Sequence, residues 1–425
     1  MKLTIENIGS LKTATIDLKD ITVIAGENDS GKSTIGKVFF ALIQAFSNYP
    51  ILLQNERKQY IQSQIERIYF ELRRNFDLAH YPDIRETFSI SRTFRRSEIL
   101  DDSILMEMTM MLNRLYEISP EKSPILKHSQ ARLDNLREYV SVKLSEKEAI
   151  ANSILKALQS EFSGEIVRKP QSEPARIILA DGETTILNLL LTDEKILDFQ
   201  GEEEIEFNDA TFVDGPAVIQ FHNAMSGFSP LGESHRQSES MPFHTLDLSQ
   251  KLRNGGFNLF SIGKGDAFEL SNTYKGKLYF DKEKKSFLLD KGSYHISSNN
   301  IASGVKALGL LDMLIEGDYI REHTLLILDE PETNLHPKWQ IEYAKMLCKL
   351  SKAGATILIT THSPYMVEAL KGYVGKYKIN GGFYVSRRNP AGEIEYNDCT
   401  RDITPIITAL SEPLSDLIDE ISDDF

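Results

Sequence analysis

Cysteine is nearly absent: the two in the chain, Cys348 and Cys399, cannot build a disulfide framework. Neither has a second Cys or a His at metal-ligand spacing, so a zinc or iron–sulfur scaffold is excluded as an organising principle. Long apolar runs are also missing. No segment approaches the ~18 residues needed to cross a membrane, and Met1-Lys2-Leu3-Thr4-Ile5 alternates polar and apolar like a strand instead of opening a secretory leader. A soluble, cytoplasmic protein with no membrane partner is expected. Positive charge is scarce as well. The net charge of −14 argues against a protein that coats nucleic acid along its whole surface, so any such contact must come from a local segment. There is no internal repeat.

What remains is ordinary globular material, 41% hydrophobic and 26% charged, over 425 residues. That length exceeds one usual domain and predicts a large core carrying an inserted subdomain. Strand patterns occur at Leu3–Ile5, Ala14–Leu18 and the fully apolar Ile21–Ala25. A helix starting near Lys32 follows, with Ile35, Val38, Phe39, Leu42 and Ile43 on one face. From about Ala45 to Glu161 the pattern is helical, with breaks expected at Tyr49-Pro50, Tyr81-Pro82 and Ser119-Pro120. Strand alternation returns around Ala175–Leu191 and Ala210–Val213, and Ala224–Glu239 reads as a loop. Lys277–Leu289 reads as a hairpin and Ser303–Ile315 as an apolar helix. Strands at Thr324–Leu328, Ala355–Thr360 and Gly382–Val385 then alternate with helices at Lys338–Lys352 and Pro364–Leu370. Alternating strands and helices imply an α/β fold with a parallel sheet. The expected division is a head made of residues 1–45 and 175–390, a helical insertion over 46–174, and a C-terminal extension over 391–425 ending in an acidic tail.

Gly26-Glu27-Asn28-Asp29-Ser30-Gly31-Lys32-Ser33-Thr34 carries a full GxxxxGKS directly after a buried strand and at the start of a helix. Its glycines let backbone N–H groups wrap a phosphate, and the helix N-terminus adds partial positive charge. Lys32 reaches the β- and γ-phosphates of ATP, and Ser33 is placed to hold Mg²⁺. Leu325-Leu326-Ile327-Leu328-Asp329-Glu330 is an apolar strand ending in two carboxylates. Asp329 is the expected Mg²⁺ partner and Glu330 the expected general base for water; neighbouring strand residues point to opposite faces, which separates the two jobs.

Asp329-Glu330-Pro331-Glu332-Thr333-Asn334-Leu335-His336-Pro337 resembles the Walker B and D-loop segment of ABC-type ATPases of the RecF, SMC and OLD-like group. Thr361-His362-Ser363-Pro364, after a second apolar strand, looks like their switch-histidine motif, which implies that His362 senses the γ-phosphate. Ala302-Ser303-Gly304-Val305-Lys306 is the best match to their signature motif, although Val305 stands where a second glycine is common. A helix N-terminus here would let Ser303 and Gly304 grip a phosphate, and a plain Ser N-cap explains the same residues. Gln220 is a weak candidate for the Q-loop.

The resemblance implies a P-loop ATPase with an ABC-type head, dimerising head to tail around two ATP molecules with Asn334 at the seam. It is closest in kind to antiphage-defence ATPase subunits of the Septu (PtuA-like), retron-associated and PARIS types, in which the dimer controls a separate effector, a nuclease or toxin. A RecF-like or SMC-like repair ATPase acting directly on DNA is the alternative, and a transporter subunit fits the D-loop and the insertion poorly. The segment Arg57–Arg96 holds nine Lys or Arg against five Asp or Glu, interleaved with Tyr60, Tyr69, Phe70, Phe76 and Phe88. That composition suits phosphate contact through a helical arm, and equally suits solvated helix faces over an aromatic core. After His362 too little chain follows for a TOPRIM nuclease, and no HNH arrangement is seen near His222, His235 and His244. Leu410, Leu414, Leu417, Ile418 and Ile421 lie at helical spacing in the tail, so it reads either as a docking helix or as a helix packed on its own body.

Overall fold

The computed structural model describes residues 1–89, 102–141, 145–170, 173–201, 205–225, 241–254 and 270–412. Arg92, Arg95, Arg96, His235, most of the loop read over Ala224–Glu239, and the tail from residue 413 lie outside them. The chain divides into two compact units, one of residues 1–48 with 150–425 and one of residues 49–149. Residues 150–174, grouped with the insertion on sequence alone, belong to the first unit.

The first unit is built on a six-stranded sheet of order β14-β13-β3-β12-β11-β7. Its strands are β3 (Ile21–Gly26), β7 (Asp209–Val213), β11 (Thr324–Asp329), β12 (Thr356–Thr361), β13 (Gly381–Arg388) and β14 (Ile394–Asp398). All pairings are parallel except that of β13 with β14. Every residue of β3 is buried, as expected of a central strand covered on both faces. A second, antiparallel sheet of order β2-β1-β4-β5-β6 comprises β1 (Lys2–Ile8), β2 (Leu11–Asp17), β4 (Ala175–Asp181), β5 (Thr184–Leu191) and β6 (Ile196–Gly201). A third sheet, β10-β9-β8, joins β8 (Lys277–Asp281), β9 (Ser286–Asp290) and β10 (His295–Ser297). The architecture is α/β.

The helices are α1 (Lys32–Asn75), α2 (Pro82–Thr87), α3 (Asp102–Ile118), α4 (Ser123–Ser141), α5 (Glu146–Glu161), α6 (Ala217–Met225), α7 (Phe243–Asn254), α8 (Ser271–Tyr274), α9 (Ser303–Glu316), α10 (Pro337–Lys352) and α11 (Pro364–Tyr377). Helix α1 packs so closely on the sheet that a Cβ at Gly36 would meet Phe212 at 2.8 Å and Ile327 at 2.9 Å. The break expected at Tyr49-Pro50 does not occur: α1 continues through Pro50. One proline removes a single backbone hydrogen bond, and buried residues anchor the helix on both sides, Phe39 to Phe46 before it and Ile61 to Leu72 after it. Residues 404–412 are helical, and Ile406, Ala409 and Leu410 pack on the core of the first unit.

In the second unit, Ile65, Ile68 and Leu72 of α1 share a core with Ile84, Leu112 and Leu136. Phe76 and Phe88 belong to that core, in line with the reading of solvated helix faces over an aromatic core for those two rings. Phe70 stays exposed, and Tyr60 packs on Tyr139 with ring centroids 4.3 Å apart. Arg67, Arg73, Arg74 and Arg85 are exposed.

Candidate functional site

Register alone brings the motif segments together. Ala25 of β3 pairs with Thr361 of β12, and Thr360 of β12 pairs with Asp329 of β11. The loop after β3, the turn after β11 and the segment after β12 therefore emerge at one edge, the carboxyl ends of parallel strands where open α/β sheets bind ligands.

The loop after β3 is shaped by steric demands that its sequence meets. Gly31 has φ 72°, and a Cβ there would come within 2.3 Å of Leu11; Gly26 lies against Ser386, whose hydroxyl a Cβ would meet at 2.1 Å. Among the described residues, the backbone N–H groups of Asn28, Asp29, Ser30 and Gly31 donate no hydrogen bond. Four donors at the N-terminus of α1 fit an anion such as a phosphate. Lys32 is buried, and its Nζ donates to the carbonyls of Gly26 (3.0 Å) and Glu27 (2.6 Å). Burial pushes its pKa below the ordinary lysine value, against the opposing pull of Glu330, Asp329 and Glu332. Thr34 donates its N–H to the Gly31 carbonyl at 3.2 Å.

Around this loop the structure gathers Ser33, Asp329, Glu330 and His362. The Ser33 hydroxyl donates to Asp329 Oδ1 at 3.0 Å, and the Thr360 hydroxyl donates to the same oxygen. Asp329 and Glu330 diverge for a different reason from the strand alternation expected: β11 ends at Asp329, and Glu330 takes a left-handed backbone with φ 49°. Its N–H is held by Thr360, at 3.1 Å to the carbonyl and 3.2 Å to the hydroxyl. Its carboxylate lies between the Lys32 ammonium and the His362 ring, Oε1 at 3.8 Å from Lys32 Nζ and Oε2 at 3.5 Å from His362 Nδ1. Ser33 and Asp329 supply hard oxygen donors that suit Mg²⁺, an ion that takes one or two protein ligands and completes its shell with phosphate and water.

Several residues at this edge escaped sequence reasoning. Glu332, buried, accepts the Thr361 hydroxyl at 2.6 Å and the His362 N–H at 2.8 Å on Oε1, while its Oε2 has no hydrogen-bond partner among the described residues. A carboxylate three positions into a Walker B-like turn was the available signal. Asp214 directly follows β7, which pairs with β11 as far as Val213 with Leu328. It is 3.3 Å from Nε2 of buried His244, whose Nδ1 lies 2.5 Å from Glu161. Burial opposes a proton on His244, but the hydrogen bonds and charges of Asp214 and Glu161 outweigh it and raise the pKa to about 9. No local pattern joins residues so widely spaced.

Ser303 and Gly304 open α9. Gly304 packs on the turn after β11, where a Cβ would meet the Asn334 carbonyl at 2.9 Å and the Trp339 ring at 3.2 Å. The Ser303 side chain caps nothing, since the N-cap of α9 is Ala302 and no side-chain cap bond forms. The plain N-cap explanation of Ser303 therefore fails. Asn334 has φ 69° in the same turn. Gln220 is exposed on α6, not in the loop between β7 and that helix.

The family model described as "AAA domain, putative AbiEii toxin, Type IV TA system" matches residues 112–368, more than half of the chain. The chain belongs to this AAA-domain family. A second model, "AAA ATPase domain", matches residues 1–210 of the AAA protein, so the two cover both halves of its site. No curated protein matches the sequence. Among solved structures, the SMC head domain from Thermotoga maritima is similar at 12% identity and a TM-score of 0.37, covering 93% of this chain and 97% of that one. The Smc head domain with an extended coiled coil bound to the C-terminal domain of ScpA, derived from Pyrococcus furiosus, is similar at 11% identity and a TM-score of 0.38, covering 99% and 98%. No helix among the described residues of the AAA protein is long and apolar enough to cross a membrane.

Proposed function

We propose that this AAA-family chain is an ABC-type ATPase subunit that binds ATP with Mg²⁺, hydrolyses it, and dimerises around it to control a separate effector protein in antiphage defence. The observation that carries the catalytic part is the placement of the Glu330 carboxylate between Lys32 and His362, beside the Ser33–Asp329 pair. Residues Gly26 to Thr34 wrap the phosphates with backbone N–H groups, and Lys32 meets the β- and γ-oxygens. Ser33 and Asp329 would hold Mg²⁺, which when bound would supply charge neutralisation at the phosphates. Glu330 takes the proton of the attacking water, and His362 reads the γ-phosphate from the other side. Ser303 and Gly304, at the start of α9 with Gly304 packed against the Asn334 carbonyl, serve the nucleotide of a second copy.

Glu330→Gln tests the base. ATP binding should persist and phosphate release should fall about 10²–10⁴-fold, the span of general-base catalysis; unchanged turnover would remove Glu330 from that role.

The effector part rests on the toxin–antitoxin setting named in the family description. Purification together with the products of neighbouring genes should bring down a nuclease or toxin. The exposed Arg67, Arg73, Arg74 and Arg85 favour the second reading, direct action on DNA. Under it, Arg73→Glu with Arg74→Glu should abolish a salt-dependent DNA complex formed by the purified protein alone, whereas absence of any such complex in the wild type leaves the effector reading.

A further inference from the structure

The hairpin of β13 and β14 touches two carbonyls of the phosphate loop, those of Asp29 and Ser30, and the Ser30 hydroxyl. Arg388 Nη2 donates to the Asp29 carbonyl at 2.8 Å and to the Asp29 carboxylate at 2.8 Å. The Tyr396 hydroxyl donates to the Ser30 carbonyl at 2.9 Å. Buried Ser386 lies 2.7 Å from the Ser30 hydroxyl, which is itself 2.7 Å from the Glu27 carbonyl, and 3.3 Å from the Ala25 carbonyl. Each hydroxyl has one proton, so the two short contacts form a relay in which Ser386 donates to Ser30 and Ser30 donates to Glu27.

These contacts bear on ligand binding through the geometry of the peptide unit. In a trans peptide the C=O and the following N–H point in opposite directions and turn as one rigid group. A carbonyl held outward by a donor therefore fixes the next N–H inward. Arg388, by holding the Asp29 carbonyl, sets the direction of the Ser30 N–H; Tyr396, by holding the Ser30 carbonyl, sets that of the Gly31 N–H. Both are among the N–H groups that donate to no described residue.

We propose that the β13–β14 hairpin is a brace that pre-aims the Ser30 and Gly31 N–H groups at the nucleotide phosphates, with Tyr396 and Arg388 as positioning residues for ATP affinity. The inference rests on the reading of the loop as an ATP site and extends it to strands that neither family match covers, since those matches span residues 112–368 and 1–210. Burial raises the Tyr396 pKa, which keeps the hydroxyl a donor at all ordinary pH. A loop that is already aimed loses less freedom on binding, so the brace acts on affinity more than on the bond-breaking step.

The test uses the full chain, with ATP and Mg²⁺ titrated calorimetrically and turnover followed by phosphate release, on wild type, Tyr396→Phe, Arg388→Ala, the double variant and Lys32→Ala. Tyr396→Phe removes one oxygen, and Arg388 is solvent-facing, so both variants should fold with melting temperatures near wild type. Each should raise Kd and KM for ATP about threefold to tenfold, as expected for one lost hydrogen bond, with kcat at saturation changed less than about twofold. The double variant should multiply the two effects. Wild-type Kd and KM in both single variants, or a fall in kcat with Kd unchanged, would overturn the brace. Failure of the wild type itself to bind ATP, or binding that Lys32→Ala leaves intact, would instead overturn the underlying reading of the loop.

Discussion

The backbone N–H of His362 is held by the carboxylate of Glu332 at 2.8 Å, and the Thr361 hydroxyl reaches the same oxygen at 2.6 Å. Glu332 thus fastens the end of β12 to the turn after β11, and with it the ring that faces Glu330. Glu332→Ala leaves a buried hydroxyl and a backbone N–H without acceptors, a loss of roughly 1–3 kcal/mol. Urea unfolding should show that loss, and phosphate release should fall by more than ATP affinity does. Equal losses in binding and turnover would count against a role through His362.

Thr360 supports both acids at once, donating to Asp329 and accepting the Glu330 N–H. Thr360→Val keeps the shape and removes both hydroxyl bonds, leaving the Glu330 N–H on the Thr360 carbonyl alone. The expected result is an ATP Kd within about threefold of wild type, since the phosphate loop is untouched, with turnover reduced about tenfold and a higher half-saturating Mg²⁺ concentration. A Mg²⁺ titration of the ATPase rate checks this.

At the start of α9, Ser303 and Gly304 should separate cleanly. Gly304→Ala drives a Cβ toward the Asn334 carbonyl and Trp339, costing about 1–3 kcal/mol as overpacking does. Ser303→Ala removes a hydroxyl that makes no cap bond, so monomer stability should be unchanged within about 0.5 kcal/mol. Its expected defect is confined to the ATP-dependent dimer, read by light scattering of a Glu330→Gln background with ATP. Normal dimerisation in Ser303→Ala would detach this segment from a second copy's nucleotide.

The buried group His244, between Glu161 and Asp214 and ringed by Phe40 and Phe212, predicts a pH dependence. Its pKa is raised in the folded chain to about 9 from 6.5, so the folded state binds the proton more tightly than the unfolded one. The stabilisation, on the order of 3 kcal/mol, is complete below about pH 6.5 and is lost as pH rises through about 9. Asp247 also faces this imidazole electrostatically. Unfolding free energy measured from pH 6 to 10 should fall with that slope, and His244→Leu, which strands the Glu161 carboxylate, should be strongly destabilised and lose the slope.

Much of this was legible without coordinates where the signal is local. GxxxxGKS after an apolar strand needs only neighbouring residues, and so do the strand ending in Asp329-Glu330 and the strand before His362. Legibility failed where the cause lies far along the chain. Pro50 reads as a break because its lost hydrogen bond is local, whereas the packing that carries α1 through it is not. Phe76 and Phe88 fit either phosphate contact or an aromatic core on sequence alone, and only their partners Leu112 and Leu136 decide for the core.

The sequence by itself determined the α/β alternation and the phosphate-loop chemistry, because backbone periodicity and glycine conformation are properties of short windows. Tertiary structure decided which groups meet. Parallel register placed Thr361 beside Ala25 and Asp329 beside Thr360, and it brought Ser386, Arg388 and Tyr396 onto a loop more than 350 residues earlier. Strand pairing selects its partner through buried area and hydrogen bonds between distant segments, a choice that no short stretch of sequence contains.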